Sequence, residues 1–130
     1  MSTRRHFDHV DLRVRSLAEA RPFYAVLLPA LGFTRDVKIE GWLQYEVAGT
    51  DGATEFVGIT ESPQHVGNDC RIAFWADSIH EVDRLAAIAI QAGARNVEGP
   101  AYENEDALYY AVFFEDPSGN RLEICYRERK

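Results

Sequence analysis

A chain of 130 residues, 46% apolar and 27% charged, describes one globular domain that buries roughly two thirds of the surface its unfolded form exposes. Fourteen Lys plus Arg against 21 Asp plus Glu give a formal charge of −7, which repels phosphate backbones and anionic headgroups and argues against nucleic-acid and membrane partners. The two cysteines, Cys70 and Cys125, make no secreted disulfide framework, the segment before Phe7 lacks the apolar run of a signal peptide, and no stretch is long enough for a membrane helix; the expected location is the cytoplasm.

Taken in chain order, the first strand is His9–Val14. A capping box follows, Ser16-Leu17-Ala18-Glu19, in which the serine hydroxyl accepts from an orphan N–H and the glutamate reaches back. The helix it opens carries Leu17, Ala20, Tyr24, Leu27, Leu28 and Leu31 at three- and four-residue steps and stops at Gly32. Pro22 inside it predicts a kink or a late start. Three strands are then predicted at Phe33–Ile39, Leu43–Val47 and Thr54–Ile59, separated by Glu40-Gly41 and by Gly49-Thr50-Asp51-Gly52.

After a linker at Ser62–Asp69 the pattern recurs. A strand at Arg71–Ala76 leads to a second box, Ser78-Ile79-His80-Glu81, 62 positions after the first. The second helix carries Val82, Leu85, Ala86, Ala89 and Ala92 and stops at Gly93. Strands are predicted at Val97–Tyr102, Leu108–Glu115 and Arg121–Tyr126, punctuated by the acidic turn Glu103–Asp106 and by Asp116-Pro117-Ser118-Gly119-Asn120. The fold class is therefore α+β: a single domain spanning 1–130, made of two βαβββ modules at about 5–61 and 69–127.

Strand alternation turns Val10, Leu12 and Val14 toward the first helix and His9, Asp11 and Arg13 away from it. Likewise Ile72, Phe74, Leu122, Ile124 and Tyr126 face the second helix, while Arg71, Ala73, Trp75, Arg121, Glu123 and Cys125 face away. His9, Glu55, Arg71 and Glu123 thus become candidate site residues on concave sheet surfaces, with Arg13, Trp75, Tyr109 and Phe113 as candidate pocket residues. His6, His65 and His80 read as surface residues, and both cysteines as buried small side chains. No Gly-rich phosphate loop, Gly-x-Ser-x-Gly elbow, Cys-x-x-Cys pair or His-Glu-x-x-His motif is present, so nucleotide binding, serine hydrolysis, thiol redox work and zincin proteolysis lack support.

The strand bearing His9, the segment Arg21-Pro22-Phe23-Tyr24 with its Leu31-Gly32-Phe33 exit, the Ile72-Ala73-Phe74 strand and, most specifically, Phe114-Glu115-Asp116-Pro117-Ser118-Gly119-Asn120-Arg121-Leu122-Glu123 together resemble the vicinal oxygen chelate superfamily of glyoxalases, extradiol dioxygenases, fosfomycin resistance enzymes and bleomycin-binding proteins. The resemblance implies sheets curled around a cavity, a homodimer, and a divalent metal (Fe, Mn, Ni or Zn) held by side chains from the first, fourth, fifth and eighth strands. Carried onto this chain, His9 and Glu123 match ligand positions and Glu55 matches more loosely. Arg71 stands where a histidine is expected. A guanidinium stays cationic and offers donors only, so it cannot ligate a dication.

Several functions stay open at this point. In one, a metal on His9, Glu55 and Glu123 polarises vicinal substrate oxygens for isomerase, lyase or dioxygenase chemistry, with Arg71 stabilising developing negative charge. In another, an Arg71–Glu123 ion pair takes the metal's place and the protein is a metal-free small-molecule binding or antibiotic-sequestration module. A third uses His9 or Glu123 as a general base without any cofactor.

Overall fold

In a computed structural model the described residues are 6–48, 54–104 and 108–128. The element order is β1 (His9–Val14), α1 (Leu17–Ala30), β2 (Arg35–Asp36), β3 (Trp42–Glu46), β4 (Phe56–Glu61), β5 (Arg71–Trp75), α2 (Ile79–Ala92), β6 (Arg95–Asn104), β7 (Tyr109–Glu115) and β8 (Arg121–Arg127). Two four-stranded sheets result, ordered β1-β4-β3-β2 and β5-β8-β7-β6. In each, the module's first strand runs parallel to its last and the remaining pairs are antiparallel.

The serine half of each capping box forms, while Glu81 reaches back one residue further, to the Asp77 N–H at 2.9 Å. Ser16 accepts from the Glu19 N–H at 3.1 Å and Ser78 from the Glu81 N–H at 3.0 Å. The late start predicted from Pro22 does not occur: α1 begins at Leu17, where the Ser16 cap and the Glu61 carboxylate, 2.9 Å from the Leu17 N–H, satisfy orphan donors. At the helix ends, Gly32 (φ +105°) and Gly93 (φ +113°) take the left-handed conformation that ends a helix. The Phe33 N–H then reaches back to the Leu28 carbonyl at 2.9 Å.

The predicted strand at Phe33–Ile39 contracts to two residues. Asp36 captures the Lys38 N–H at 3.0 Å, and Lys38 itself has φ +58°, so a local side-chain bond replaces the ladder there. The turn predicted at Gly49–Gly52 lies outside the described residues, as do Glu105 and Asp106 of the acidic turn. Cys125 is buried as expected but Cys70 is exposed, because it stands in the linker ahead of β5 rather than inside the sheet.

The modules share one core. Phe23 of α1 packs edge-on against Tyr24, with centroids 4.9 Å apart, and against Phe114 of β7 at 6.5 Å. Leu27, Leu28, Ile59, Leu85, Leu122 and Ile124 complete a cluster that draws on both helices and both sheets. The Tyr24 hydroxyl donates to Asp116 Oδ2 at 2.5 Å. Burial first, and the neighbouring carboxylate second, push the Tyr24 pKa well above the usual tyrosine value, so it stays a donor.

Asp116 is itself fully buried, and its Oδ1 accepts from the Ser118 and Asn120 N–H groups at 2.8 and 2.9 Å. Arg15, just beyond β1, donates to the carbonyls of Pro117 and Ser118 at 2.9 and 3.0 Å. The Asp-Pro-Ser-Gly-Asn turn is thus a joint between modules. The linker is fastened to the same turn. His65 Nε2 lies 2.8 Å from Asn120 Oδ1, and Gly67 lies so close to Gly119 that a Cβ there would fall 2.2 Å from the Gly119 carbonyl oxygen.

Candidate functional site

The two sheets are not hydrogen-bonded to each other; β1 and β5 are their facing edge strands. Between these edges opens a cavity of about 800 Å³, lined by His9, Glu55, Phe56, Arg71, Trp75 and the apolar Phe33, Phe74, Val10 and Ile72. This is within the size range of small-molecule sites. Of the sequence-predicted residues it gathers His9, Glu55, Arg71 and Trp75.

His9 lies flat on Phe56, with ring centroids 4.3 Å apart and planes 4° from parallel, because the two residues are register partners on β1 and β4. Its Nδ1 is 2.8 Å from Asp8 Oδ2 and its Nε2 is 3.5 Å from Asp11 Oδ2. The hydrogen bond to Asp8, with the charge of Asp11 adding to it, raises the His9 pKa above the ordinary histidine value against a smaller desolvation effect. Glu55 precedes β4 by one residue. By alternation it belongs to the face carrying the buried Val57 and Ile59, opposite the face of His9 and Phe56, although both it and His9 line the cavity. On the His9 face, β4 supplies Phe56 and then Gly58, whose missing side chain leaves room for the Asp11 carboxylate.

On the second sheet, Arg71 does not pair with Glu123. Register explains this: Arg71 stands opposite Arg121, and Glu123 is flanked by Ala73 on β5 and Phe113 on β7. The Arg71 guanidinium instead rests over the Phe113 ring, 4.7 Å from its centroid. Glu123 is buried at 5% exposure and accepts from the Tyr109 hydroxyl. Desolvation and that carboxylate hold the Tyr109 pKa well above the usual tyrosine value, so the phenol remains the donor. Farther along, Arg127 stacks on Trp75 at 5.3 Å. Tyr109, Phe113 and Glu123 therefore share one sheet face with Arg71 and Trp75. Arg13 lies elsewhere, beside a smaller cavity near the linker.

Phe56 and Arg127 escaped the sequence reading. Extending the alternation Arg121, Glu123, Cys125 by one step reaches Arg127; Phe56 needed the β1–β4 register, which a single sequence does not display.

The residues at the four ligand positions do not fit a divalent metal. Among the described residues no group of three or more His, Cys, Asp and Glu side chains is placed to hold one. The fourth-strand face offers phenylalanine and glycine, the fifth-strand position is a fixed cation, and both nitrogens of His9 face carboxylates. Glu55 and Glu123 do not close the set, since Glu55 belongs by alternation to the opposite face of its sheet and buried Glu123, bonded to the Tyr109 hydroxyl, is not among the residues lining the cavity.

Paired βαβββ modules with a side-chain-lined cavity between their first strands define a glyoxalase-like fold. The chain belongs to the Glyoxalase/Bleomycin resistance protein/Dioxygenase superfamily, whose family model matches residues 6–124. A glyoxalase/bleomycin resistance protein from Albidiferax ferrireducens T118 is 28% identical, with a TM-score of 0.74 over 94% of this chain and 98% of that one. A glyoxalase/bleomycin resistance protein/dioxygenase family enzyme from Burkholderia phytofirmans PsJN shares the fold at 20% identity, TM-score 0.69, covering 92% and 96%. The fosfomycin resistance protein FosX from Mesorhizobium loti does so at 18% identity, TM-score 0.67, covering 95% and 93%. A search of curated proteins finds no match. Among the described residues no helix is long and apolar enough to cross a membrane.

Proposed function

We propose that this protein binds a small, flat organic acid in the cavity between β1 and β5 without a resident metal ion. The observation that carries this reading is Arg71. A permanent cation, oriented by the Phe113 ring and opening into a cavity whose walls are mostly aromatic and aliphatic, with Asp8, His9 and Glu55 as further polar lining, is suited to anchor an anionic head while the walls take an apolar body. His9, fixed by Asp8 and flattened on Phe56, supplies a second polar edge, and Trp75 a stacking surface. Glu123 serves as a buried acceptor that fixes Tyr109 on the sheet face it shares with Arg71 and Trp75. The isomerase, lyase and dioxygenase readings are set aside because they need a ligand set that His9, Glu55 and Glu123 do not form.

Calorimetric titration with benzoate and phenylacetate, on protein dialysed against chelator, tests this. Saturable binding is expected, unchanged by added Mn, Ni, Fe or Zn and weakened about tenfold or more in Arg71→Gln, the worth of a charge-assisted contact. Binding that disappears on chelation, or that Arg71→Gln leaves intact, would overturn the reading. A preference for cationic aromatics over these acids would favour sequestration of a cation instead.

We further propose a homodimer formed through the sheet faces turned away from the helices, where Trp42 and Trp75 are 39% and 61% exposed. Light scattering should give twice the 14.7 kDa chain mass, and a value near 14.7 kDa would refute it. A cytoplasmic location belongs to the same proposal, since the exposed Cys70 thiol suits a reducing compartment.

A further inference from the structure

Where β1, the linker and the β7–β8 turn meet, a second cavity of about 210 Å³ opens beside Arg13, His65, Asn68, Asn120 and Arg121. It is distinct from the larger cavity, and Ile72 is the residue that lines both. Its polar walls are fixed before any ligand arrives. Asn120 Nδ2 donates to the Arg13 carbonyl and to Asp116 Oδ2, both at 2.8 Å. That orientation makes Asn120 Oδ1 an acceptor, so His65 Nε2 donates to it.

The charges around this cavity are unbalanced. The Arg13 guanidinium has no ion-pair or hydrogen-bond partner among the described residues. Among the described residues Arg121 has a single carboxylate partner, Asp69 at 3.1 Å, whose side chain is 96% exposed, so water screens the pair heavily. Asp11 also borders the cavity, but its carboxylate is committed elsewhere: Oδ2 faces His9, and Oδ1 occupies the space over Gly58. One unpaired guanidinium and one held only by a solvent-exposed carboxylate therefore border the cavity, in a chain whose net charge is −7.

The geometry points to a small-oxyanion site at this joint, sized for inorganic phosphate or sulfate and too small for a nucleotide, in which Arg13 and Arg121 grip the anion. Arg13 comes from the first module and Arg121 from the second, so a bound anion fastens the two together. The site is independent of the organic-acid cavity and stands or falls separately from it.

Thermal unfolding in inorganic phosphate, against sodium chloride of equal ionic strength, tests the inference. A rise of roughly 2–4 °C is expected at phosphate well above its dissociation constant. The rise should be lost in both Arg13→Gln and Arg121→Gln and retained in Arg71→Gln. Arg13→Gln removes a group without partners among the described residues, so its own fold is expected to be intact, which the chloride midpoint reports. Phosphate NMR line broadening by the wild-type protein, diminished at least fivefold in Arg13→Gln, gives a second readout. Equal stabilisation of wild type and both variants would show only the general salting effect of phosphate and overturn the site. Loss of the effect in Arg71→Gln would move the anion to the larger cavity and overturn it equally.

Discussion

Replacing Asp116 by alanine is expected to cost about 4 kcal/mol of folding stability, a large part of the roughly 5–15 kcal/mol that holds a domain of this size. The side chain is fully buried and has four protein donors: the Tyr24 hydroxyl, the Ser118 and Asn120 N–H groups and the Asn120 amide. Alanine removes the acceptor for all of them at once. Water cannot easily reach Tyr24, so its hydroxyl loses a bond with nothing to replace it, at about 1–3 kcal/mol for a group of this kind. Asp116→Asn keeps one carbonyl oxygen for the turn and should lose only about 1–2 kcal/mol, while Tyr24→Phe leaves the turn's own bonds in place and should lose about as much. Urea unfolding of the three variants checks the order. An Asp116→Ala protein within 1 kcal/mol of wild type would mean that the turn is not the joint described above.

Phe23→Ala is expected to cost about 3–5 kcal/mol, the usual range for emptying a buried aromatic site. Phe23 is 1% exposed and reaches from α1 of the first module to Phe114 of the second, so the cavity left behind opens in the shared core rather than inside one module. The loss should therefore be felt equally by both halves. Each sheet contains one tryptophan, Trp42 on β3 and Trp75 on β5, which allows Trp42→Phe and Trp75→Phe to report the halves separately by fluorescence. Coincident denaturant transitions are expected in both backgrounds, before and after Phe23→Ala. Two separated transitions would show that the modules have independent cores.

Much of this fold could be read directly. Ser16 and Ser78 cap their helices as the boxes predict, and Gly32 and Gly93 end them, because these signals are local and each residue's own hydrogen bonding decides the outcome. The apolar alternation of β1, β5 and β8 also survives into the structure, with Val14, Leu122 and Ile124 fully buried. Where the reading failed, the deciding contact lay outside the local window. The second strand shortens because Asp36 competes for the Lys38 N–H. Arg71 and Glu123 are not neighbours because register, a property of two strands together, places Arg121 and Ala73 where each might have met the other.

The site follows the same division. That Arg71 departs from a metal-binding pattern is visible in one residue's chemistry. That it rests on Phe113, and that His9 rests on Phe56, depends on contacts between strands more than forty residues apart in sequence. Asp116 shows a further limit. The motif around it announces a turn, but its complete burial could be suspected only by asking why Tyr24 interrupts an aliphatic helix face with a hydroxyl.

The fastened linker bears on how two copies could associate. Exchange of modules between copies requires the connecting segment to swing free as a hinge. Here His65 is bonded to Asn120 and Gly67 is wedged against Gly119, so opening that hinge means breaking both contacts with the β7–β8 turn. Domain swapping would thus forfeit the contacts that fasten the linker, which favours apposition of intact protomers over exchange of modules in a dimer of this chain.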